Sequence, residues 1–479
     1  MSQTTQNDIS GYLKTFFKKN LAYTLSFVFE RSVVFLLLPF YTSIFSPDDY
    51  GVYSIFIASV SIGAFLYGMG IENSLIKFKA EDNPHSKLDS TVFTGMMIPS
   101  LFFTLLVALF SNQFSNIIFG TDKYQSLIIL TSLSLFFDTV TRYFLFTVIG
   151  EQKSKVFLVV SAVRGTLTIG LNILLVWYLE QGLMGAVWSY LITIIAISLY
   201  LLIKQKVLIR FSFDKELYRK LFKYSVPVML TSACVMTLNS ADTYILKYFF
   251  STAEVGKYSA SYKFGTGMNL FVTAYATAVI PFALNLLKKE KEHTKTLSII
   301  FESFFCLMIV IFLFIGLFYR EIVNFNLGNI YIIDPAFHDA VEIIPVIVLS
   351  YIFMGIYTNY TIPFHFKGNT HKLALITFGA TLINVLLNLI LVPVYSYWGA
   401  AIVTLLSFAV LALVTVWFAQ KTLSVKYNFL KMILILFTAI GLYLFAQNYF
   451  PDSVTIKSLV FIAGTVFLFL SFRKVKSSF

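Results

Sequence analysis

The chain has 479 residues, of which 58% are apolar, 18% aromatic and 13% charged. Soluble domains carry roughly 45–50% apolar and about 25% charged residues, so this composition excludes a water-soluble globule and predicts an all-α integral membrane protein. Lys and Arg outnumber Asp and Glu by 36 to 24, but in a membrane protein such an excess speaks of which side of the bilayer the charges flank rather than of nucleic acid, and no nucleic-acid partner is expected.

Residues 1–20 are polar and amphipathic, and no small-residue cleavage site follows the first apolar run, so no removable signal peptide is expected. Windows of about 19 residues then predict fourteen transmembrane helices, at 21–45, 51–71, 91–111, 125–148, 156–178, 184–203, 225–248, 255–283, 297–318, 342–366, 373–394, 399–419, 429–447 and 457–472. With the N-terminus inside, inner segments hold 27 Lys and Arg against three outside, Lys123, Arg320 and Lys457. Basic residues stay on the cytoplasmic side, so both termini are expected in the cytoplasm. The segment 204–224, with seven basic residues, reads as a cytoplasmic linker and inner-leaflet anchor.

An offset of 205 aligns Phe45–Ser54 (FSPDDYGVYS) with Phe250–Ser259 (FSTAEVGKYS), five positions being identical. Each copy closes one span and opens the next on the outer face, where Gly51 and Gly256 would allow a tight turn and an acid would cap the following helix. A second pair, Leu171–Val176 and Leu387–Val392, is followed by Gly185-Ala186 and Gly399-Ala400 at offsets of 216 and 214. The predicted organisation is therefore two parallel six-helix lobes around a central cavity, residues 1–203 and 225–420, with two extra helices over 421–479. Parallel repeats with a site between them are one plan of alternating-access transporters.

This arrangement, the Pro-bearing first helix (Pro39), the turn Pro47-Asp48-Asp49-Tyr50-Gly51, and a seventh helix that begins at Pro227 and carries Asp242 resemble the O-antigen and capsule repeat-unit flippases. These belong to the multidrug, oligosaccharidyl-lipid and polysaccharide exporter superfamily. The resemblance covers essentially the whole chain, and it implies two V-shaped bundles whose cavity opens alternately to each side.

Ionisable side chains inside a membrane cost at least a few kcal/mol each and default to paired or functional positions. At about 1.5 Å per residue, Arg31, Arg142 and Arg164 fall in one layer, roughly 10–15 Å from the inner face, on spans one, four and five. Lys263 falls roughly 12 Å below the outer face on span eight, which makes two tiers of cations. Acids accompany them. Asp138 and Arg142 lie four apart on one helix face, Glu30 adjoins Arg31 but points about 100° away, and Asp242 and Lys263 share a depth on neighbouring spans. Arg142 and Lys263 read equally as members of structural pairs or as ligands. Arg164 has no acid within a turn of its own helix, which favours a functional role, and Lys247 and Lys257 read as snorkelling interfacial residues.

Two isolated cysteines, Cys234 and Cys306, five scattered histidines and the lack of a Gly-rich loop ending in Lys-Ser/Thr suggest neither a disulfide framework, a metal site, nor nucleotide hydrolysis. No cofactor is expected. The favoured function is a flippase, not an enzyme, in the bacterial plasma (inner) membrane. Its partners would be a polyprenyl-diphosphate-linked glycan, for which Arg is a suitable bidentate ligand, and membrane lipids, with polysaccharide polymerase machinery a further candidate. The alternatives are a cation-coupled multidrug exporter, which needs buried acids, and a membrane polysaccharide polymerase or ligase using Arg320, Asp334, His338 and Asp339 of the outer segment 319–341.

Overall fold

Apolar side chains in hydrocarbon leave a chain only one economical way to satisfy its peptide groups within a segment, the helix, and a computed structural model of the protein is built accordingly. It describes residues 25–79, 87–204, 213–289, 294–328, 330–423 and 428–477. The amphipathic start at 1–20 and residues 205–212 of the basic stretch 204–224 lie outside the described residues.

The first half contains α1 (Leu25–Ile44), α2 (Pro47–Gly68), the short α3 (Glu72–Phe78), α4 (Leu88–Leu109), α5 (Ser111–Phe119), α6 (Gln125–Gly150), α7 (Ser154–Asn172), which a π-helical turn over Ile173–Tyr178 prolongs, and α8 (Gly182–Lys204). The second half contains α9 (Lys215–Phe249), α10 (Thr252–Gly265), α11 (Met268–Lys289), α12 (Thr294–Asn324), α13 (Ile344–Tyr360), α14 (Ile362–Lys367), α15 (Thr370–Thr422), α16 (Phe429–Tyr449) and α17 (Val454–Ser477). Between α12 and α13 the chain forms a two-residue hairpin, Asn326–Leu327 against Ile330–Tyr331, and a 3-10 turn over Pro335–Ile343.

Eleven of the described helices are long and apolar enough to cross a membrane, or twelve if α10 and α11, bent by 46° at their junction, form one broken span. The protein is a multi-pass membrane protein of all-α architecture, and the expected count of fourteen is not reached by this measure. The difference lies in two places. Only Val454–Leu468 of the last helix is apolar, too short to be counted. The 53 residues of α15 run as one element, although a straight helix of that length would be about 80 Å long against a hydrocarbon core of about 30 Å. It breaks at Ser396, whose φ of 50° is left-handed.

The end of α9 departs furthest from the hydropathy reading. That helix starts at Lys215, ten residues before the predicted span, because the Asp214 carboxylate accepts a hydrogen bond from the Leu217 amide at 3.0 Å and caps it. A hydropathy window cannot register a helix turn rich in Lys and Arg.

The two copies of the repeated motif meet. Ser46 and Ser251 cap α2 and α10, their hydroxyls accepting from the amides of Asp49 at 3.2 Å and Glu254 at 3.3 Å. The serines rather than the acids are the caps, and Asp49 in turn accepts from the Ser46 hydroxyl at 2.7 Å. Gly51 and Gly256 make no turn. They lie in the first turns of α2 and α10, where the two helices cross so closely that a Cβ on Gly51 would stand 1.9 Å from the Thr252 carbonyl oxygen, and one on Gly256 1.8 Å from that of Pro47. The Thr252 hydroxyl also donates to Asp48 across this crossing. Further contacts between the halves at this end are Asp334 N to Thr42 Oγ1 at 3.4 Å and the edge-on ring pair Tyr50–Phe337.

Overpacking costs typically 1–3 kcal/mol, and here the obstructing atoms are backbone. Gly51→Val is therefore expected to separate the outer ends. In a cysteine-free background, Asp48→Cys with Thr252→Cys should form a disulfide readily, and adding Gly51→Val should reduce its yield several-fold.

The second motif also recurs in geometry. Buried Asn172 accepts from the Tyr41 hydroxyl at 2.7 Å and donates to Ser189 Oγ at 2.8 Å, while Asn384, one turn before Asn388, donates to Ser407 Oγ at 3.0 Å. A Cβ on Gly185 would be 2.9 Å from the Leu175 carbonyl oxygen and one on Gly399 2.5 Å from that of Leu391. Left-handed Glu180 and Ser396 make the reversals.

Candidate substrate site

Four intramembrane cations were singled out from the sequence, and the structure divides them into two kinds. Arg142, on α6, is held by Glu72, whose side chain is completely buried in the first turn of α3. Its guanidinium also stacks over the Phe65 ring at 5.0 Å. Glu72 lies one residue past the predicted end of span two, where an acid reads as a loop residue, and it replaces Asp138 as the ion-pair partner of Arg142. Asp138 instead faces Arg164 on α7, at 3.9 Å. Arg164 thus has an acid from a neighbouring helix, something invisible in its own turn, and the Tyr190 hydroxyl of α8 stands beside it. Glu30, on α1, accepts from Ser161 Oγ at 2.8 Å and so points toward α7.

Arg31 and Lys263 are of the second kind. Arg31 is exposed although it lies well inside α1, Lys263 is half-buried near the end of α10, and the two are electrostatic neighbours. The rings of Phe35 and Phe264, one helical turn and one residue away respectively, pack at 5.7 Å. Neither cation has an ion-pair partner among the described residues. The Tyr351 hydroxyl of α13 also lies within electrostatic range of Arg31.

The expected separation into two tiers is thereby corrected for this pair. Since α10 begins at Thr252 and not at 255, Lys263 lies about 17 Å from its outer end. A depth of 10–15 Å from the inner face corresponds to about 15–20 Å from the outer face of a 30 Å core, so Arg31 reaches the same level.

The expected pairing of Asp242 with Lys263 does not form either. Asp242, buried on α9, accepts from the Tyr258 hydroxyl and from the Thr243 amide, the latter at 2.8 Å. Tyr258 and Lys263 are five residues apart on one helix, hence about 140° apart around it. With Tyr258 turned to α9, Lys263 must face elsewhere, and it faces α1.

The helix carrying Lys263 ends there, since α10 stops at Gly265 and α11 starts at Met268. A cation in the last turn complements the negative end of the helix dipole. Broken helices near the membrane midplane are a recurrent way of building transporter sites.

The outer residues weighed as catalytic groups have local structural partners. Arg320 pairs with Glu342 at 3.0 Å, Asp334 caps the Ala336 amide at 3.0 Å, His338 Nε2 is 2.9 Å from the Ile333 carbonyl, and Asp339 pairs with Lys257 at 2.5 Å. Among the described residues no group of three or more His, Cys, Asp or Glu could hold a metal ion.

Comparison with known proteins agrees with this architecture. A family model described as "Polysaccharide biosynthesis protein" matches residues 16–286. The chain belongs to that family. An uncharacterized membrane protein of Methanocaldococcus jannaschii, MJ1068, is 22% identical over 444 residues, covering 87% of this chain and 86% of that one. Among solved structures, the lipid II flippase MurJ in an inward closed conformation superposes with a TM-score of 0.73 at 17% identity, over 95% of this chain and 98% of that one. A multidrug resistance MATE transporter in an inward-facing conformation gives 0.67 at 15% identity, over 82% and 94%. An outward-facing MATE transporter gives 0.59 at 15% identity, over 85% and 96%. The fold is that of these solved transporters.

Proposed function

We propose that the protein flips a polyprenyl-diphosphate-linked oligosaccharide repeat unit from the cytoplasmic to the outer leaflet of a bacterial plasma membrane, by alternating access, for surface polysaccharide biosynthesis. The reading takes 1–203 and 225–420 as the two lobes, 421–479 as a trailing pair of helices and both termini as cytoplasmic. The observation that carries it is that α1 and α10 meet at Phe35 and Phe264, 5.7 Å apart, beside Arg31 and Lys263, neither of which has an acid partner among the described residues. Two like charges at one membrane depth repel, and an anion between them turns that repulsion into attraction from both sides. A diphosphate suits the position because the guanidinium fork binds it in bidentate fashion while the ammonium contributes a point charge.

A cationic drug would need an uncompensated acid. Glu72 and Asp138 face arginines, Glu30 accepts from Ser161, and Asp242 accepts from Tyr258 and Thr243. Two of these four acids are thus charge-paired and the other two are held by neutral donors alone, while Arg31 and Lys263 have no acid among the described residues. The two unpaired cations, brought together from different helices, support an anionic substrate over the multidrug alternative. Glycan contacts would come from aromatic side chains on either side of the seam.

Binding tests the reading directly. Polyprenyl diphosphate should raise the melting temperature of the purified protein by several degrees, and the uncharged polyprenol of the same length should leave it within a degree. Equal effects of the two would remove the diphosphate from the recognition. Orientation is checked separately: a reporter fused after residue 330 should report the outer side, as the 27-to-3 charge bias requires.

A further inference from the structure

A concavity lies along the two arms of α15, away from Arg31 and Lys263. Its volume is about 400 Å³, and Leu375, Ile376, Gly379 and Ile383 of the first arm of α15 line it together with Val414 and Phe418 of the second. The opposite face of the first arm is engaged by protein. Tyr357 on α13 meets Thr377, Thr381 donates to the Cys234 carbonyl of α9 at 3.1 Å, and Asn384 donates to Ser407. The groove therefore points outward, away from α9 and α13. Leu375 and Leu382 beside it are more than half exposed.

One end of the groove is charged. Lys372 lines it there, one turn before Leu375 and Ile376, and has no ion-pair partner among the described residues. At the same end of the second arm, Lys421 stands over the Trp417 ring at 3.4 Å. A tryptophan with lysines at a helix end marks the level of the headgroups.

We propose that this groove holds one acyl chain of an anionic glycerophospholipid, with the headgroup phosphate on Lys372. The apolar wall is continuous along the two arms of α15, and among the described residues its only charged lining residue, Lys372, stands at the end marked by Trp417 and Lys421, with a sign opposite to that of phosphate. The lining comes wholly from α15 and none of it from α1 or α10, so the site is separate from the Arg31–Lys263 seam and does not depend on what crosses there. A zwitterionic lipid would fill the same wall but would gain less from the cation, since its own positive charge offsets the attraction.

Gly379 provides the test. It lies in the helix wall, and a Cβ there meets nothing within 4 Å, so a larger side chain fills the groove without displacing protein atoms. Native mass spectrometry of the full chain, released from micelles containing phosphatidylglycerol, phosphatidylcholine of the same chains, and polyprenyl phosphate, reads the occupant. Phosphatidylglycerol should be retained at one copy per chain, about tenfold over phosphatidylcholine. Gly379→Phe should reduce that copy at least fivefold, and Lys372→Gln should reduce the preference to under threefold while a lipid remains bound. Should Gly379→Phe fail to fold, Gly379→Leu makes the same comparison with a smaller side chain. Retention of phosphatidylglycerol unchanged by filling the groove, or polyprenyl phosphate displaced from it in place of phospholipid, overturns the proposal.

Discussion

Arg31→Gln and Lys263→Gln should each lower transport of a lipid-linked diphosphate at least about tenfold. A hydrogen bond to a charged group contributes about 1.5–3 kcal/mol, and every 1.4 kcal/mol is a factor of ten. Both residues lack an acid partner among the described residues, so neutralising either leaves no buried carboxylate stranded, and the protein should accumulate normally. That separates a loss of substrate contact from a loss of fold. Arg31→Lys should recover part of the activity, because the charge returns without the planar fork, and Arg31→Glu should be worse than Arg31→Gln. Accumulation at parental levels with unaltered transport in the Arg31→Gln, Lys263→Gln double variant would contradict the assignment.

Glu72→Gln is expected to act on stability. The carboxylate is fully buried and holds Arg142, and removing one member of a buried ion pair strands the other charge at a cost of about 3–5 kcal/mol. Thermal unfolding in detergent should show a large loss for Glu72→Gln, and adding Arg142→Gln should restore most of it, since a neutral pair needs no countercharge. A variant that loses transport while melting at the parental temperature would instead make Glu72 part of the transport cycle. Arg164 provides the comparison within the same half. Its side chain is 26% exposed and its acid is 3.9 Å away, so Arg164→Gln should cost less stability than Glu72→Gln.

Much of this architecture was legible in one dimension because hydropathy and helix signals are local. The span from 125 to 148 appears as Gln125–Gly150, and that from 156 to 178 as Ser154–Tyr178. The repeated Phe-Ser motif marked two helix starts, and its glycines mattered, although for a reason no single copy reveals: Gly51 and Gly256 are each other's neighbours across the chain. Pairing of charges was where local reasoning failed. Asp138 and Arg142 share a helix face, yet Arg142 pairs with Glu72, 70 residues away in sequence, and Asp138 faces Arg164, 26 residues away. The partner of an intramembrane charge depends on how each helix is rotated about its axis, and a shift of three residues in the start of α10 was enough to bring Lys263 to the level of Arg31. Glu72 is hidden by a boundary instead, as an acid one residue beyond a predicted span end reads as a loop residue.

The measurement that bears most directly on the central claim is flipping in liposomes that contain the purified protein and a fluorescent polyprenyl-diphosphate oligosaccharide, followed by quenching of the label exposed on the outside. The account predicts protein-dependent movement of this lipid between leaflets, inhibited by unlabelled polyprenyl diphosphate and lost in the Arg31→Gln, Lys263→Gln variant. Transport of a cationic dye by the same liposomes, with no movement of the lipid-linked glycan, would contradict it.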